Sequence, residues 1–209
     1  MKSVIGVLAS GRGSNCEALC RASQAGRLHA RIGLVLSDRP DAQVLEKARA
    51  MGVPARYIDP GRKGARLTPE AEGQFVAALQ EAGVAWVALA GFMRIVGPVL
   101  LAAYPGRIVN IHPSLLPSFP GLDAQRQALE YGVRVTGCTV HLVNEGVDTG
   151  PIVLQQAVPV LSTDSVESLS ARILVEEHAL YVQAMNMLLA GAHRVEGRRI
   201  LLPDEDTTT

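Results

Sequence analysis

Short apolar runs alternate along the chain with segments whose apolar positions recur every three or four residues. This is the pattern of parallel βαβ units joined by crossover helices. Val4 to Ala9 is expected as a first strand, followed by a turn over Gly11 to Asn15 and a helix over Cys16 to Ala25. A second strand, Ile32 to Leu36, ends at Ser37-Asp38-Arg39-Pro40, and a helix over Ala42 to Met51 closes at Gly52. Pro54 to Ile58 suits a third strand. Thr68 caps a helix that runs to Ala82, with Pro69 at its first position. Val84 to Ala90 is almost continuously apolar, as a central parallel strand covered on both faces requires. A short helix over Pro98 to Ala103 and a strand over Arg107 to Ile111 follow. Beyond a proline-rich loop lie a helix over Leu122 to Tyr131 and strands over Val135 to Val143 and Ile152 to Val158. Asp164 or Ser165 caps a long last helix, with Leu169, Ile173, Glu176, Leu180 and Ala184 along one side. The basic, glycine-containing segment 59–67 reads as an exposed and mobile loop.

The order of elements predicts an α/β, Rossmann-like fold with a mostly parallel central sheet flanked by helices. With no internal repeat and no linker, 209 residues suit a single domain over 1–189, leaving 190–209 as a C-terminal extension whose acidic tail after Pro203 is frayed and disordered. Composition narrows the function classes. A 48% hydrophobic and 19% charged chain fills a core, and 20 basic against 20 acidic residues lack the footprint of a nucleic-acid binder. Aromatics at 4% leave little surface for stacking bases. Cys16, Cys20 and Cys138 form an odd, sparse set that suits a reducing, cytoplasmic location. Val84 to Ala103 imitates a membrane span, but Arg94 lies at its centre and Gly97-Pro98 would break the helix. The start is too short and too weakly charged for a secretory leader.

Ligands of open parallel sheets bind beyond the carboxyl ends of the strands, and three segments there carry chemistry. Gly13, Ser14 and Asn15 follow the first strand and open a helix, where free N–H groups can cradle a phosphate; they fit an ordinary turn and helix cap equally well. Cys16 stands where a dinucleotide fingerprint has its third glycine, and no Gly-Lys-Ser/Thr marks a Walker loop. Met93, Arg94, Ile95 and Val96 follow the central apolar strand, where main-chain polar groups can clamp a flat heterocycle or simply cross the sheet. Asn110 and His112 are two apart at a strand end, so both point to one face, an amide donor beside an imidazole. Such a pair can hold an oxyanion and move a proton, as acyl transfer needs; a lone histidine is also often structural. Cys138 and His141 lie three apart on one strand and so face opposite ways, which argues against a metal site.

The string Asn110-Ile111-His112-Pro113-Ser114-Leu115-Leu116-Pro117 resembles the signature of the folate-dependent formyltransferases. With Ser10-Gly11-Arg12-Gly13-Ser14-Asn15 upstream and Asp148-Thr149-Gly150-Pro151 downstream, it is most similar to the phosphoribosylglycinamide formyltransferase branch, over roughly Val4 to Leu189. The resemblance implies formyl transfer from 10-formyltetrahydrofolate to the amine of glycinamide ribonucleotide, a step of purine biosynthesis, without a metal. It implies Asn110, His112 and Asp148 as the catalytic trio. Gly13, Ser14 and Asn15 match the loop on the ribonucleotide phosphate, and Glu177 the acid that meets the same substrate. Met93 to Val96, Asn110, and Asn144, Glu145, Gly146, Val147 and Asp148 match the segments around the folate. Two positions depart from the branch: Leu174 replaces a basic or amide residue near Glu177, and no clear counterpart exists for a loop arginine, with Arg62 or Arg66 as substitutes.

Related chemistries are disfavoured on length and charge. A tRNA-directed formyltransferase would need an additional C-terminal domain and a basic surface, and a formyltetrahydrofolate deformylase an N-terminal regulatory domain. A nicotinamide oxidoreductase using Gly11, Gly13 and Asp38 leaves Asn110, His112 and Asp148 unexplained. A silent folate-binding module is a third possibility. The expected partners are the two small substrates, with no nucleic acid and no membrane, for a monomer or homodimer.

Overall fold

Five parallel strands, β1 (Ser3–Leu8), β2 (Ala30–Ser37), β3 (Ala55–Tyr57), β4 (Trp86–Leu89) and the start of β5 (Ile108–His112), lie in the order β3-β2-β1-β4-β5. They come from a computed structural model that describes residues 2–62 and 64–201. Packing divides the chain into two units, Met1–Asn110 with Val143–Glu145, and Ile111–Leu142 with Gly146–Thr209. The architecture is α/β and Rossmann-like, with mostly parallel strands flanked by helices, as the hydrophobic pattern predicts. Residues 202–209, where a frayed tail is expected, lie outside the described residues.

In the first unit the helices are α1 (Ser14–Gln24), α2 (Gln43–Ala50), α3 (Pro69–Glu81) and α4 (Pro98–Ala103). Register puts Leu36, Leu8, Leu89 and Asn110 at one level across four strands, so the segments after β1, β2 and β4 emerge together beside Asn110. Leu8, Leu34, Leu36, Phe75, Leu79, Val87, Leu100 and Ile108 form the core beneath that edge. The greasy stretch 84–103 resolves into β4, a loop and α4, and among the described residues no helix is long and apolar enough to cross a membrane.

Thr68 caps α3 by accepting the Ala71 N–H at 3.2 Å, with Pro69 at the first helical position as expected. One turn on, the buried Glu72 carboxylate accepts the Val99 N–H at 3.0 Å and the Leu100 N–H at 3.4 Å, so an acid on α3 satisfies the first turn of α4. A Cβ at Gly97 would overlap that carboxylate. Gly97→Ala is therefore expected to cost about 2 kcal/mol, measured by urea unfolding, because Glu72 must leave two N–H groups unpaired. Unchanged stability would refute this coupling.

In the second unit β6 (Val135–Leu142) runs antiparallel to β7 (Ile152–Pro159), and α6 (Val166–Leu189) packs on both. Ser165 is the cap, in a reciprocal capping box with Ser168; Asp164 instead pairs with Arg172 at 2.8 Å. The acid on the buried face of α6 is Glu177 rather than Glu176, which corrects the helical phase expected at that point. The stretch after residue 190 also adds structure. β8 (Arg194–Glu196) and β9 (Arg199–Leu201) pair antiparallel, and β9 joins β7 in parallel. Helix α5 (Ala124–Tyr131) begins two residues later than the pattern suggests.

Candidate active site

His112 ends β5, and its surroundings are built by main-chain groups. Nε2 lies 2.8 Å from the Phe119 carbonyl, which can only accept, so Nε2 carries a hydrogen and Nδ1 is the nitrogen that gains or releases the second proton. Nδ1 faces the Asp148 carboxylate at 3.3 Å. On the other side of that carboxylate stands His141, with Nε2 at 3.5 Å from Oδ1. Its Nδ1 is 2.9 Å from the Leu142 carbonyl and is likewise the hydrogen-bearing nitrogen. Asp148 also accepts the Gly121 N–H at 2.8 Å. The carboxylate therefore sits between two imidazoles, each oriented by a carbonyl on its far nitrogen.

The three side chains are almost fully shielded, at 6%, 3% and 11% exposure for His112, His141 and Asp148. Burial alone would raise the Asp148 carboxyl, but the bond from His141, the Gly121 N–H and the charges of the two imidazoles outweigh it. The carboxyl is held below its ordinary value. Asp148 adopts a left-handed backbone, φ 53°, a conformation that aspartate tolerates better than most residues.

For His141 the sequence leaves two readings, lining the pocket or the favoured core packing; it is buried on β6 and also faces the Asp148 carboxylate, beside a register shift with β7 between Val140 and His141. Cys138 stays inert: burial first, then the nearby Glu177 and Glu176 carboxylates, push its thiol up to about 12. Glu177 is thus placed in the second unit, buried on α6 near Cys138. Among the described residues no group of three or more His, Cys, Asp or Glu side chains is arranged to hold a metal ion.

In the first unit Gly13 is the N-cap of α1, in a left-handed conformation at φ 74°, and no side chain caps the helix. That corrects the alternative in which Ser14 or Asn15 caps it. A Cβ at Gly13 would also overlap the Val44 side chain, so glycine answers both a steric and a conformational demand. The loops after β1 and β4 are joined, since the Ser10 N–H donates to the Gly91 carbonyl at 3.0 Å and the Met93 N–H to Ser10 Oγ at 2.8 Å. The turn that leads through Gly13 into Ser14 and Asn15 at the start of α1 therefore neighbours the loop of Met93 to Val96 at one sheet edge. Arg94 does not simply reach solvent: its Nε donates to Asp38 Oδ2 at 2.6 Å. Asp38 is buried with its other oxygen on Ser10, so it is not open to a ribose as a nicotinamide site requires. Asn110 is half-buried on β5, two residues before His112. Asn144 and Glu145 fall in the first unit, and Gly146, Val147 and Asp148 in the second.

The formyl transferase family model matches residues 2–185. The phosphoribosylglycinamide formyltransferase of Bacillus subtilis is 42% identical over 190 residues, 91% of this chain and 96% of that protein. The chain belongs to the phosphoribosylglycinamide formyltransferase family. Other members carry the family domain inside longer proteins: the trifunctional purine biosynthetic protein adenosine-3 of Gallus gallus is 44% identical over 194 residues, 93% of this chain but only 19% of its own length. A solved family structure, glycinamide ribonucleotide transformylase 1 of Symbiobacterium toebii, is 51% identical with a TM-score of 0.92, covering 96% of this chain and 94% of that one.

Proposed function

We propose that the protein transfers the formyl group of 10-formyltetrahydrofolate to the amine of glycinamide ribonucleotide, giving formylglycinamide ribonucleotide and tetrahydrofolate in purine biosynthesis. The observation that carries this reading is the contact of His112 Nδ1 with the buried Asp148 carboxylate, two residues after Asn110 on β5, in a chain of this family. The uncharged amine attacks the formyl carbon and a C–N bond forms. The carbonyl oxygen becomes an oxyanion, held by the Asn110 amide and by His112 carrying a proton on Nδ1. Asp148 favours that proton by its charge and helps relay a proton from the attacking nitrogen, which must lose one, to N10; the bond from the carbon to N10 then breaks and N10 leaves protonated.

Gly13, Ser14 and Asn15 take the ribonucleotide phosphate on the uncapped turn of α1, and Glu177 meets the same substrate. Met93 to Val96, Asn110 and Asn144 to Asp148 enclose the folate. In this reading residues 1–189 work as one formyltransferase domain, 190–209 are an extension, no metal takes part, and the protein acts in the cytoplasm as a monomer or homodimer.

Tetrahydrofolate release from 10-formyltetrahydrofolate, followed with and without glycinamide ribonucleotide, tests the proposal. Release that depends on the ribonucleotide is expected. Equal release without it would mean hydrolysis, and no release would mean a binding module.

A further inference from the structure

Asp38 has no part in the formyl-transfer chemistry, yet both oxygens of its buried carboxylate are tied to other segments of the first unit. Its side chain is 2% exposed. One oxygen accepts Ser10 Oγ–H at 2.5 Å and the other accepts Arg94 Nε–H at 2.6 Å. Each partner passes the constraint on. Ser10 Oγ in turn accepts the Met93 N–H at 2.8 Å. Arg94 Nη1 donates to the Gly64 carbonyl and, at 3.4 Å, to the Arg62 carbonyl. The Ile95 N–H meets the Ala65 carbonyl at 2.7 Å, and Arg66 forms a parallel bridge with Ile95. A single buried charge at the end of β2 thus holds the loop after β4, with Arg62, Gly64, Ala65 and Arg66 laid along it.

We propose that Asp38 is a positioning residue for the folate segment, fixing Met93 through Ser10 and Arg94 directly, so that the clamp and the strap over it are assembled before ligand arrives. The inference rests on the reading of Met93 to Val96 as folate-binding. In it the Arg94 side chain is a strut between Asp38 and the strap, and the segment meets the heterocycle through its main chain and the Ile95 side chain. Preassembly matters because a loop that must be ordered on binding loses affinity to that ordering. A buried carboxylate and a guanidinium that is 14% exposed persist there because both are paired and hydrogen-bonded. Asp38 acts on the binding of one substrate and leaves the trio alone, so its removal should split the kinetic constants.

The test is Asp38→Asn, which keeps size and hydrogen bonding but removes the charge. In the substrate-free protein, exchange of the Met93 and Ile95 amide hydrogens is expected to speed up about tenfold. KM for 10-formyltetrahydrofolate should rise about tenfold, while kcat and KM for glycinamide ribonucleotide stay within about threefold. Unchanged exchange at both amides overturns the inference. If exchange rises but the folate KM does not, Ile95→Ala separates the two failures. A raised folate KM in Ile95→Ala overturns the positioning role, whereas an unchanged one overturns the folate reading of the segment and the inference with it. Should Asp38→Asn not fold, Ser10→Ala cuts only the Met93 branch. It is expected to speed exchange at Met93 and spare Ile95, and equal exchange at the two would sink the proposal.

Discussion

Asp148→Asn is expected to lower kcat by about 1000-fold while leaving KM for both substrates within about threefold. Asparagine has nearly the same shape and can still accept the Gly121 N–H, so the turn should persist. What disappears is the negative charge between two imidazoles whose far nitrogens are fixed by the Phe119 and Leu142 carbonyls. Neither ring can exchange tautomers without leaving a carbonyl unpaired in a buried site, which is costly. The proton that can move is therefore the one on the nitrogen facing Asp148, and an amide neither attracts nor accepts it. Steady-state kinetics with both substrates measures the effect, and a kcat within threefold of the parent would remove Asp148 from the mechanism.

The same substitution carries a pH signature. The folded-state carboxyl is held below its ordinary value, so its pairing stabilises the fold above the unfolded value, about pH 4. That contribution fades as pH falls through the lowered folded value. Asp148→Asn should accordingly melt below the parent at pH 7, and the gap should close as pH drops below about 4. A gap that widens in acid would reverse the sign of the coupling.

Much of this site is written in local pattern, and what is missing from the pattern is main-chain or tertiary in origin. The α3 start was legible because Thr68 and Pro69 act within one turn of themselves. Asn110 and His112 were legible because two-residue spacing on a strand fixes a common face. The short hairpin of β8 and β9 was not, since strands of three mostly exposed residues show no alternation of burial. Glu176 and Glu177 stand three and four positions after Ile173, and both spacings fall on one helix face, so phase counting does not separate them. The place of His141 beside Asp148 depends on a contact between residues seven positions apart that strand alternation does not show. The Phe119 carbonyl and the Gly121 N–H, which orient His112 and Asp148, belong to no residue type. Asp38 was visible as an acid at a strand end, but its partners Ser10 and Arg94 lie 28 and 56 positions away in sequence.

Gly150→Ala is expected to lower kcat about 100-fold although residue 150 carries no chemistry, because a displacement near 1 Å of catalytic groups costs about that much. Gly150 is buried where the 144–150 turn rejoins β7, and a Cβ there would overlap the Leu142 carbonyl oxygen. That oxygen cannot swing aside like a side-chain end, because the Leu142 N–H is bonded to the Pro151 carbonyl at 2.9 Å. It is also the acceptor for His141 Nδ1, which the same methyl would approach to 3.6 Å. Any relief of the overlap moves Leu142, then the His141 ring, then the carboxylate that His141 shares with His112. Strain of this kind should also cost about 2 kcal/mol of stability. Gly73→Ala supplies the contrast, since Gly73 lies inside α3 with nothing within 4 Å of its added methyl. That change is expected to stabilise the protein by about 0.5–1 kcal/mol and to leave kcat alone. Kinetics and thermal melts on the two variants separate a general response to alanine from a displaced His141. If Gly150→Ala retains the parent kcat, the route from the turn through Leu142 to the active site does not operate.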